Sequence, residues 1–271
     1  MIEALVLAGC GKMGGAMLEG WLDQGVSPDA VHVVEPVTEM AETLRLQHRV
    51  NVVGGVPELA ADLTPDVVVF AVKPQVMDSV APDYQRFNNS RTVFLSIAAG
   101  KPIGYFEDTL GADAAVVRAM PNTPAAVRRG ITVACPNARV TEQQRRICDT
   151  LLTAIGSVEW VDDEGLIDAV TALSGGGPAY VFLLAECLAE AGVAAGLPRD
   201  LSERLARVTV SGSGELLRQS TEEPATLRKN VTSPGGTTAE ALRVLMADDG
   251  WQPLVTRAIA AATERSRELA G

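Results

Sequence analysis

The sequence predicts an α/β fold: a doubly wound sheet over residues 1–161, followed by an all-α region over residues 162–271. Three observations carry that prediction. Short apolar, β-branched runs recur up to Val161, and that at residues 67–72 is unbroken, as a strand buried on both faces of a parallel sheet should be. A glycine-rich turn, Gly9-Cys10-Gly11-Lys12-Met13-Gly14, joins the first of these runs to a helix. From Leu166 onward the strand pattern stops, and apolar residues recur at helical spacing almost to the last residue.

Length and composition set the bounds. A chain of 271 residues, 47% of them hydrophobic, has room for two domains, each with its own core. A net charge of −11 with no Lys/Arg cluster argues against nucleic acid or an anionic membrane surface as partner. No stretch reads as approaching the roughly 20 apolar residues of a membrane span, and residues 1–8, without a basic start, read as a strand and not a signal peptide. Cys10, Cys135, Cys148 and Cys187 lack metal-ligand or CxxC spacing, so four small buried residues in a reducing cytoplasm are expected, with no metal site. His32 and His48 lie in no polar cluster and read as surface or strand-edge residues. There are no internal repeats and no low-complexity linker.

Residues 3–8 form the first strand, and the glycine turn opens a helix running through Leu22. Val31-His32-Val33-Val34-Glu35 is the next strand, with Glu35 26 positions after Gly9. Strand, GxGxxG, helix and a following acidic residue together form a Rossmann-type dinucleotide fingerprint. The glycines allow the tight turn, the close approach of backbone to pyrophosphate, and contact between helix and sheet. Glu35 is placed to accept hydrogen bonds from the adenosine ribose, and no arginine within residues 36–39 greets a 2′-phosphate. The cofactor is therefore NADH or NADPH, with Glu35 leaning to NADH.

Residues 67–72 form a further strand ending in Lys73-Pro74-Gln75, residues 92–97 one ending in Ala98-Ala99-Gly100, and residues 114–120 one ending in Pro121-Asn122-Thr123-Pro124. Ligands of open α/β sheets bind outside the carboxyl ends of the strands, so these loops share a crevice with the glycine turn. Ala71, Val72, Lys73 and Pro74 then border the cofactor, while Ala98, Ala99 and Asn122 lie along its nicotinamide half. For Lys73, a cofactor contact and a solvated strand-end lysine both stay open. Residues 131–134 and 158–161 are further strands flanking a helix that starts at Thr141, capped with Gln144.

In the helical region, Leu166 to Leu173 precedes a glycine run, Ser174-Gly175-Gly176-Gly177; Val181 to Gly196 follows; Asp200 with Glu203 opens a helix to about Gln219; and residues 252–269 form a last amphipathic helix. Bundles this rich in alanine pack closely and bury more surface than one copy supplies, so a homodimer through these helices is expected. Between them, Ser233-Pro234-Gly235-Gly236-Thr237-Thr238 runs into a helix, with Thr237 and Glu240 spaced as a capping box. Backbone amides and the helix dipole make that turn a place for a small anion.

A dinucleotide domain, an anion-binding helix start and the absence of a usable histidine narrow the chemistry. Carbonyl reduction commonly needs a positioned acid, because an alkoxide otherwise develops. An imine nitrogen is basic enough to arrive protonated or to take its proton from water, so imine reduction needs alignment, a hydrogen bond to nitrogen and exclusion of solvent. Ser233, Thr237 and Thr238 offer hydroxyls; with Thr237 taken up by the cap, Thr238 is the choice for the imine nitrogen and Ser233 its neighbour.

These residues match a known pattern. The chain resembles the pyrroline-5-carboxylate reductase family nearly end to end, most specifically in residues 230–238, and also in residues 165–175, 177–180, 120–124, 71–74 and 96–100. The resemblance implies hydride transfer from NAD(P)H to (S)-1-pyrroline-5-carboxylate, giving L-proline. It implies that the substrate carboxylate sits on the amides of Gly235, Gly236, Thr237 and Thr238, with Asn230 and Glu164 near proline. It further implies an interlocked homodimer, assembled in some members into a decamer. Two departures stand out: Gly176 replaces a serine found in many members, and Glu35-Pro36, with Val56 nearby, stands where NADPH-preferring members carry hydroxyl or basic groups. Two rival readings fit the residues less well. β-Hydroxyacid dehydrogenases depend on a lysine inside the second domain, where this chain has only Lys229. A catalytically silent nucleotide- or proline-binding regulator would show damaged motifs, and none is damaged.

Overall fold

The computed structural model describes residues 2–270. Among them, β1 (Leu5–Ala8), β2 (Val31–Val34), β3 (Asn51–Val53), β4 (Val67–Phe70), β5 (Val93–Ser96), β6 (Ala115–Met120), β7 (Gly130–Pro136) and β8 (Gly156–Trp160) form one sheet in the order β3-β2-β1-β4-β5-β6-β7-β8. All pairings are parallel except β6 with β7. The order reverses between β1 and β4, which is the switch point of a doubly wound sheet.

The alternation of side chains explains the two layers. Leu5, Leu7, Val67, Val69, Val93 and Leu95 face one way, onto Met17, Leu18 and Trp21 of α1 (Lys12–Asp23) and Leu151 of α5 (Glu142–Thr153). Val6, Val68, Phe70 and Phe94 face the other way, onto Met77 of α3 (Met77–Val80), Tyr84, and Phe106 of α4 (Ile103–Leu110). Helix α2 (Thr38–His48) covers the β2 and β3 side with Ala41 and Leu44. Helix α5 (Glu142–Thr153) starts at the expected capping box, Thr141 with Gln144.

The glycine run at 174–177 does not interrupt the helix, contrary to the sequence reading. Helix α6 (Leu166–Val170) passes through a π turn at Thr171–Gly175 into α7 (Gly177–Ala194). The joined run Leu166–Ala194 is long and apolar enough, by length and composition, to cross a membrane, so the expectation that no stretch approaches a span is corrected. Two apolar segments that the glycines separate on paper become one helical rod.

The chain forms two compact units: residues up to Gly175 together with those from Ala262 onward, and Gly176–Ala261. The strands stop by residue 161, but α6 and the π turn still pack with the sheet, Ile167 in its core and Gly175 against Met120, which moves the division to Gly175. The second unit comprises α7, α8 (Arg199–Gln219), α9 (Pro224–Asn230), α10 (Thr237–Leu245) and most of α11 (Trp251–Ala270). Helix α8 begins at Arg199 after Pro198, with no side-chain cap from Asp200. Helices α7 and α8 approach closely at Gly192, where a Cβ would fall 2.1 Å from Ser202 Oγ, which donates to the Ala189 carbonyl at 2.7 Å. Of the four cysteines, Cys10, Cys135 and Cys148 are buried, but Cys187 on α7 is exposed, correcting the expectation for that residue.

Candidate active site

In the first unit, the carboxyl ends of adjacent parallel strands are stitched by backbone hydrogen bonds. Gly9 N donates to Val34 O at 3.0 Å, Ala71 N to Ala8 O at 2.9 Å, and Ile97 N to Phe70 O at 3.1 Å. The loops after β1, β2, β4 and β5 therefore share one edge. Gly9 adopts φ +80°, and a Cβ there would fall 2.6 Å from Val72 Cγ1. A Cβ on Gly14 would fall 2.8 Å from Gly9 O and 3.2 Å from Ala71 Cβ, so this glycine lets α1 press against the turn. Gly11 differs: a Cβ there would meet nothing within 4 Å. That open side lies at the N-terminus of α1, whose N-cap, Gly11, supplies no side-chain oxygen. A dinucleotide's pyrophosphate fits this arrangement of bare helix amides and open backbone.

Glu35 follows β2 and is 9% exposed. Its Oε2 accepts from Cys10 N at 3.2 Å and its Oε1 from Val37 N at 3.1 Å. The carboxylate is thus held against the glycine turn by two charge-assisted hydrogen bonds. Burial, reinforced by the nearby Glu35 and Glu19 carboxylates, pushes the Cys10 thiol up to about 12, so it packs as a neutral group. Lys12 is exposed and Met13 half-buried on the first turn of α1. Ala71, Val72 and Pro74 are half-buried, and Lys73 is exposed at the end of the β4 loop. After β5, Ala98 N donates to Ser96 Oγ at 3.2 Å, leaving Ala98 buried and Ala99 exposed. Asn122 is engaged at both ends: Oδ1 accepts from Ile131 N at 3.0 Å, and Nδ2 donates to Ser174 Oγ at 3.2 Å. His32 sits within β2, away from the strand ends, and burial lowers its pKa, so it is neutral near pH 7.

In the second unit the decisive local feature is the start of α10. The expected capping box is absent: the N-cap is Gly236, in extended conformation and without a side-chain cap, so Thr237 and Thr238 are the first two helical residues. Glu240 pairs instead with Arg243 at 3.0 Å. The helix begins one residue earlier than the hydroxyl spacing suggested, because the Gly235-Gly236 pair permits the turn, Gly235 at φ +70°. Among the described residues, no hydrogen bond leaves the amides of Gly235, Thr237 or Thr238. Ser233 O accepts from Gly236 N at 3.0 Å, and the Ser233 and Thr238 side chains are exposed. Both threonine hydroxyls are thereby left for a ligand. Asn230, the last residue of α9, donates from Nδ2 to Glu222 Oε2 at 3.1 Å.

A family model described as pyrroline-5-carboxylate reductase dimerisation matches residues 164–269, and one described as NADP oxidoreductase, coenzyme F420-dependent, matches residues 4–100. A pyrroline-5-carboxylate reductase of Pseudomonas aeruginosa is 40% identical over 266 residues, which is 98% of this chain and 96% of the relative. The chain belongs to the pyrroline-5-carboxylate reductase family. Solved structures agree. A pyrroline-5-carboxylate reductase from Coxiella burnetii matches with a TM-score of 0.92 at 32% identity over 99% of both chains. That of the Plasmodium falciparum pyrroline carboxylate reductase, with NADP bound, matches with a TM-score of 0.82 at 31% identity over 99% and 98%.

As a pyrroline-5-carboxylate reductase family member, the chain carries its dimerisation segment in the helices whose apolar side chains stand exposed, which accounts for the apolar character of Leu166–Ala194. Glu164 stands at the start of that segment but belongs to the first unit. Its Oε1 accepts from Arg118 Nη1 and from Ile103 N, both at 2.8 Å. Sequence reasoning passed over Arg118, a nearly buried guanidinium on β6. The available signal was its place as the lone charge in Ala115-Val116-Val117-Arg118-Ala119-Met120, since a charge buried in a strand needs a partner.

Proposed function

We propose that this chain is an NAD(P)H-dependent pyrroline-5-carboxylate reductase acting in proline biosynthesis. The carrying observation is the start of α10, where three amides without an acceptor and two uncommitted threonine hydroxyls stand together at the positive end of a helix. A substrate bearing a carboxylate beside a C=N bond suits that set. The amides of Gly235, Thr237 and Thr238 hold the carboxylate, Gly236, whose own amide is spent on Ser233 O, shapes the turn between them, Thr238 Oγ1 donates to or accepts from the ring nitrogen, and Ser233 supports the same end. Asn230 and Glu164 are the remaining residues that the family resemblance places near proline.

The bound dinucleotide supplies the hydride that adds to the imine carbon. This chain's residues align and shield: Gly9, Gly11 and Gly14 with the amides of Lys12 and Met13 take the pyrophosphate, Cys10, its amide held by Glu35, shapes the turn, and Ala71, Val72, Lys73, Pro74, Ala98, Ala99 and Asn122 border the remainder. Because the nitrogen is basic, its proton comes with the substrate or from water, and no histidine is required. The fixed Glu35 carboxylate would accept from ribose hydroxyls and repel a 2′-phosphate, so NADH is the preferred coenzyme of this reading. We place the working assembly as a homodimer, with decamers as a higher state, in the cytoplasm.

The test is oxidation of NADH and of NADPH, followed at the nicotinamide absorbance, with pyrroline-5-carboxylate as acceptor and a 2-oxo or 3-oxo acid as control. Oxidation with the imine alone, faster with NADH, is expected. Activity confined to an oxo acid would move the chain to the hydroxyacid dehydrogenases.

A further inference from the structure

The π turn Thr171–Gly175 interrupts the regular winding of the Leu166–Ala194 rod, and single π turns of this kind recur at functional sites. It lies against the loop that follows β6, where Gly175 leaves room for Met120: a Cβ on that glycine would fall 2.5 Å from Met120 Cε. Asn122 stands in the same loop. Because β6 runs parallel to β5, with Arg118 opposite Ser96, that loop leaves the sheet at the edge that carries Ala98. Ser174, the only hydroxyl in the run 174–177, accepts from Asn122 Nδ2 at 3.2 Å, and both residues are half-buried.

Counting protons gives this contact a direction. The Asn122 amide has two N–H donors and one oxygen. Its oxygen accepts from Ile131 N at 3.0 Å, which fixes which way the amide faces, since the reversed amide would set NH2 against N–H. One N–H then goes to Ser174, and the second is left over. Ser174 Oγ is the acceptor of the pair, so its own proton points away from Asn122. Among the described residues, no hydrogen bond takes either that proton or the second N–H of Asn122.

We infer that Ser174 Oγ–H and the second N–H of Asn122 form a paired donor site for a carbonyl oxygen, and that this oxygen is the one on the nicotinamide carboxamide. The inference rests on the dinucleotide reading of the sheet edge, which already sets Asn122 along the nicotinamide half. Ser174 is the new member, and the π turn is what brings it there. Two donors on one oxygen fix the rotation of the nicotinamide ring, and with it the ring face from which hydride leaves. Neither donor carries a charge, so the pair suits a neutral carboxamide in both redox states of the coenzyme.

The experiment is a calorimetric titration of the intact protein, without imine, with NADH and with ADP-ribose, which keeps the adenosine, the pyrophosphate and the second ribose but lacks the nicotinamide. Ser174→Ala is expected to raise the NADH Kd about fivefold and to leave the ADP-ribose Kd within about twofold. Ser174→Thr, which restores the hydroxyl, should return the NADH Kd to within about twofold of the unchanged protein. Asn122→Asp turns the pair inward: one carboxylate oxygen still accepts from Ile131 N, and the other takes the Ser174 proton. It should raise the NADH Kd about twentyfold, and adding Ser174→Ala to it should cost nothing more, as for groups acting as a unit. ADP-ribose binding shows in each case that the variant has folded. An NADH Kd that does not move in Ser174→Ala would overturn the proposal. So would an equal rise for both ligands, which would make the hydroxyl a structural tie of the π turn. Failure of the unchanged protein to bind ADP-ribose would overturn the dinucleotide reading, and the proposal with it.

Discussion

The two units handle their apolar side chains in opposite ways. In the sheet unit, Leu5, Leu7, Val67, Val69 and Phe94 are wholly buried between strands and helices of the same chain. In the helical unit, Phe182 is 62% exposed, Val208 61% and Val244 60%, while Ala189, Ser202 and Ala206 are among the few buried side chains. A sheet closes its own core because each strand has two faces and helices lie on both. Helices lined with leucine and valine close theirs only when something apolar covers the outward stripe, and the match to a dimerisation model identifies that cover as another copy. The helical unit's stability is therefore expected to rise with protein concentration, whereas the sheet unit buries its core within one chain.

The sharpest way to break this contrast is Phe182→Glu. A charge on this exposed apolar face is expected to leave the protein monomeric at micromolar concentration in sedimentation experiments and to lower kcat/KM about 100-fold or more, while the NADH Kd stays within about twofold. A persistent dimer would show that this face is not the one that is covered.

Thr238→Ala probes the helical unit's own chemistry. With amides still holding the carboxylate, loss of one hydrogen bond to the reacting nitrogen is expected to lower kcat about 30-fold and leave the NADH Kd unchanged by titration. Equal loss of both would make the hydroxyl structural. On the sheet side, Glu35→Ala should lower the ratio of kcat/KM for NADH over NADPH about tenfold, which corresponds to about 1.4 kcal/mol of discrimination. A ratio that does not move would remove Glu35 from coenzyme choice.

The smallest effect tests how complete the sheet unit's core is. Tyr84 is 1% exposed, packs edge-on to Phe70 with centroids 5.1 Å apart, and its hydroxyl finds no hydrogen-bond partner among the described residues. Tyr84→Phe removes a buried unpaired oxygen at almost constant volume and is expected to raise stability by about 1 kcal/mol, read as a higher urea midpoint with unchanged m. A loss of stability would reveal a partner for that hydroxyl.

Much of this was legible in the residues. The strand–glycine–helix turn and Glu35 announce themselves because each needs a particular residue type at a particular place, and Thr141 with Gln144 forms the capping box its spacing predicts. Thr237 with Glu240 has the same spacing and does not form one, since flexible glycines ahead of it let the helix start a residue sooner. Strand β3 was passed over because three residues, Asn51–Val53, are too few for a period to show. The glycine run at 174–177 reads as a break on propensity alone, but a π turn carries the helix through it, with Gly175 allowing Met120 to approach. Arg118 was missed because its partner, Glu164, lies 46 positions away and only the fold brings them together.

The returning end of the last helix has a consequence for how the protein is made. Ser266 Oγ donates to Asp168 Oδ1 at 2.7 Å, and the Leu269 backbone backs Gly100 in the β5–α4 loop. The helical unit is thus an insertion in the chain of the first unit, which receives these contacts from residues that follow the helical unit in the chain. A ribosome that has released the whole sheet still holds back the residues that brace one of its loops. Nascent chains can shape the glycine turn early, but that brace emerges only after the helices of the second unit have been made.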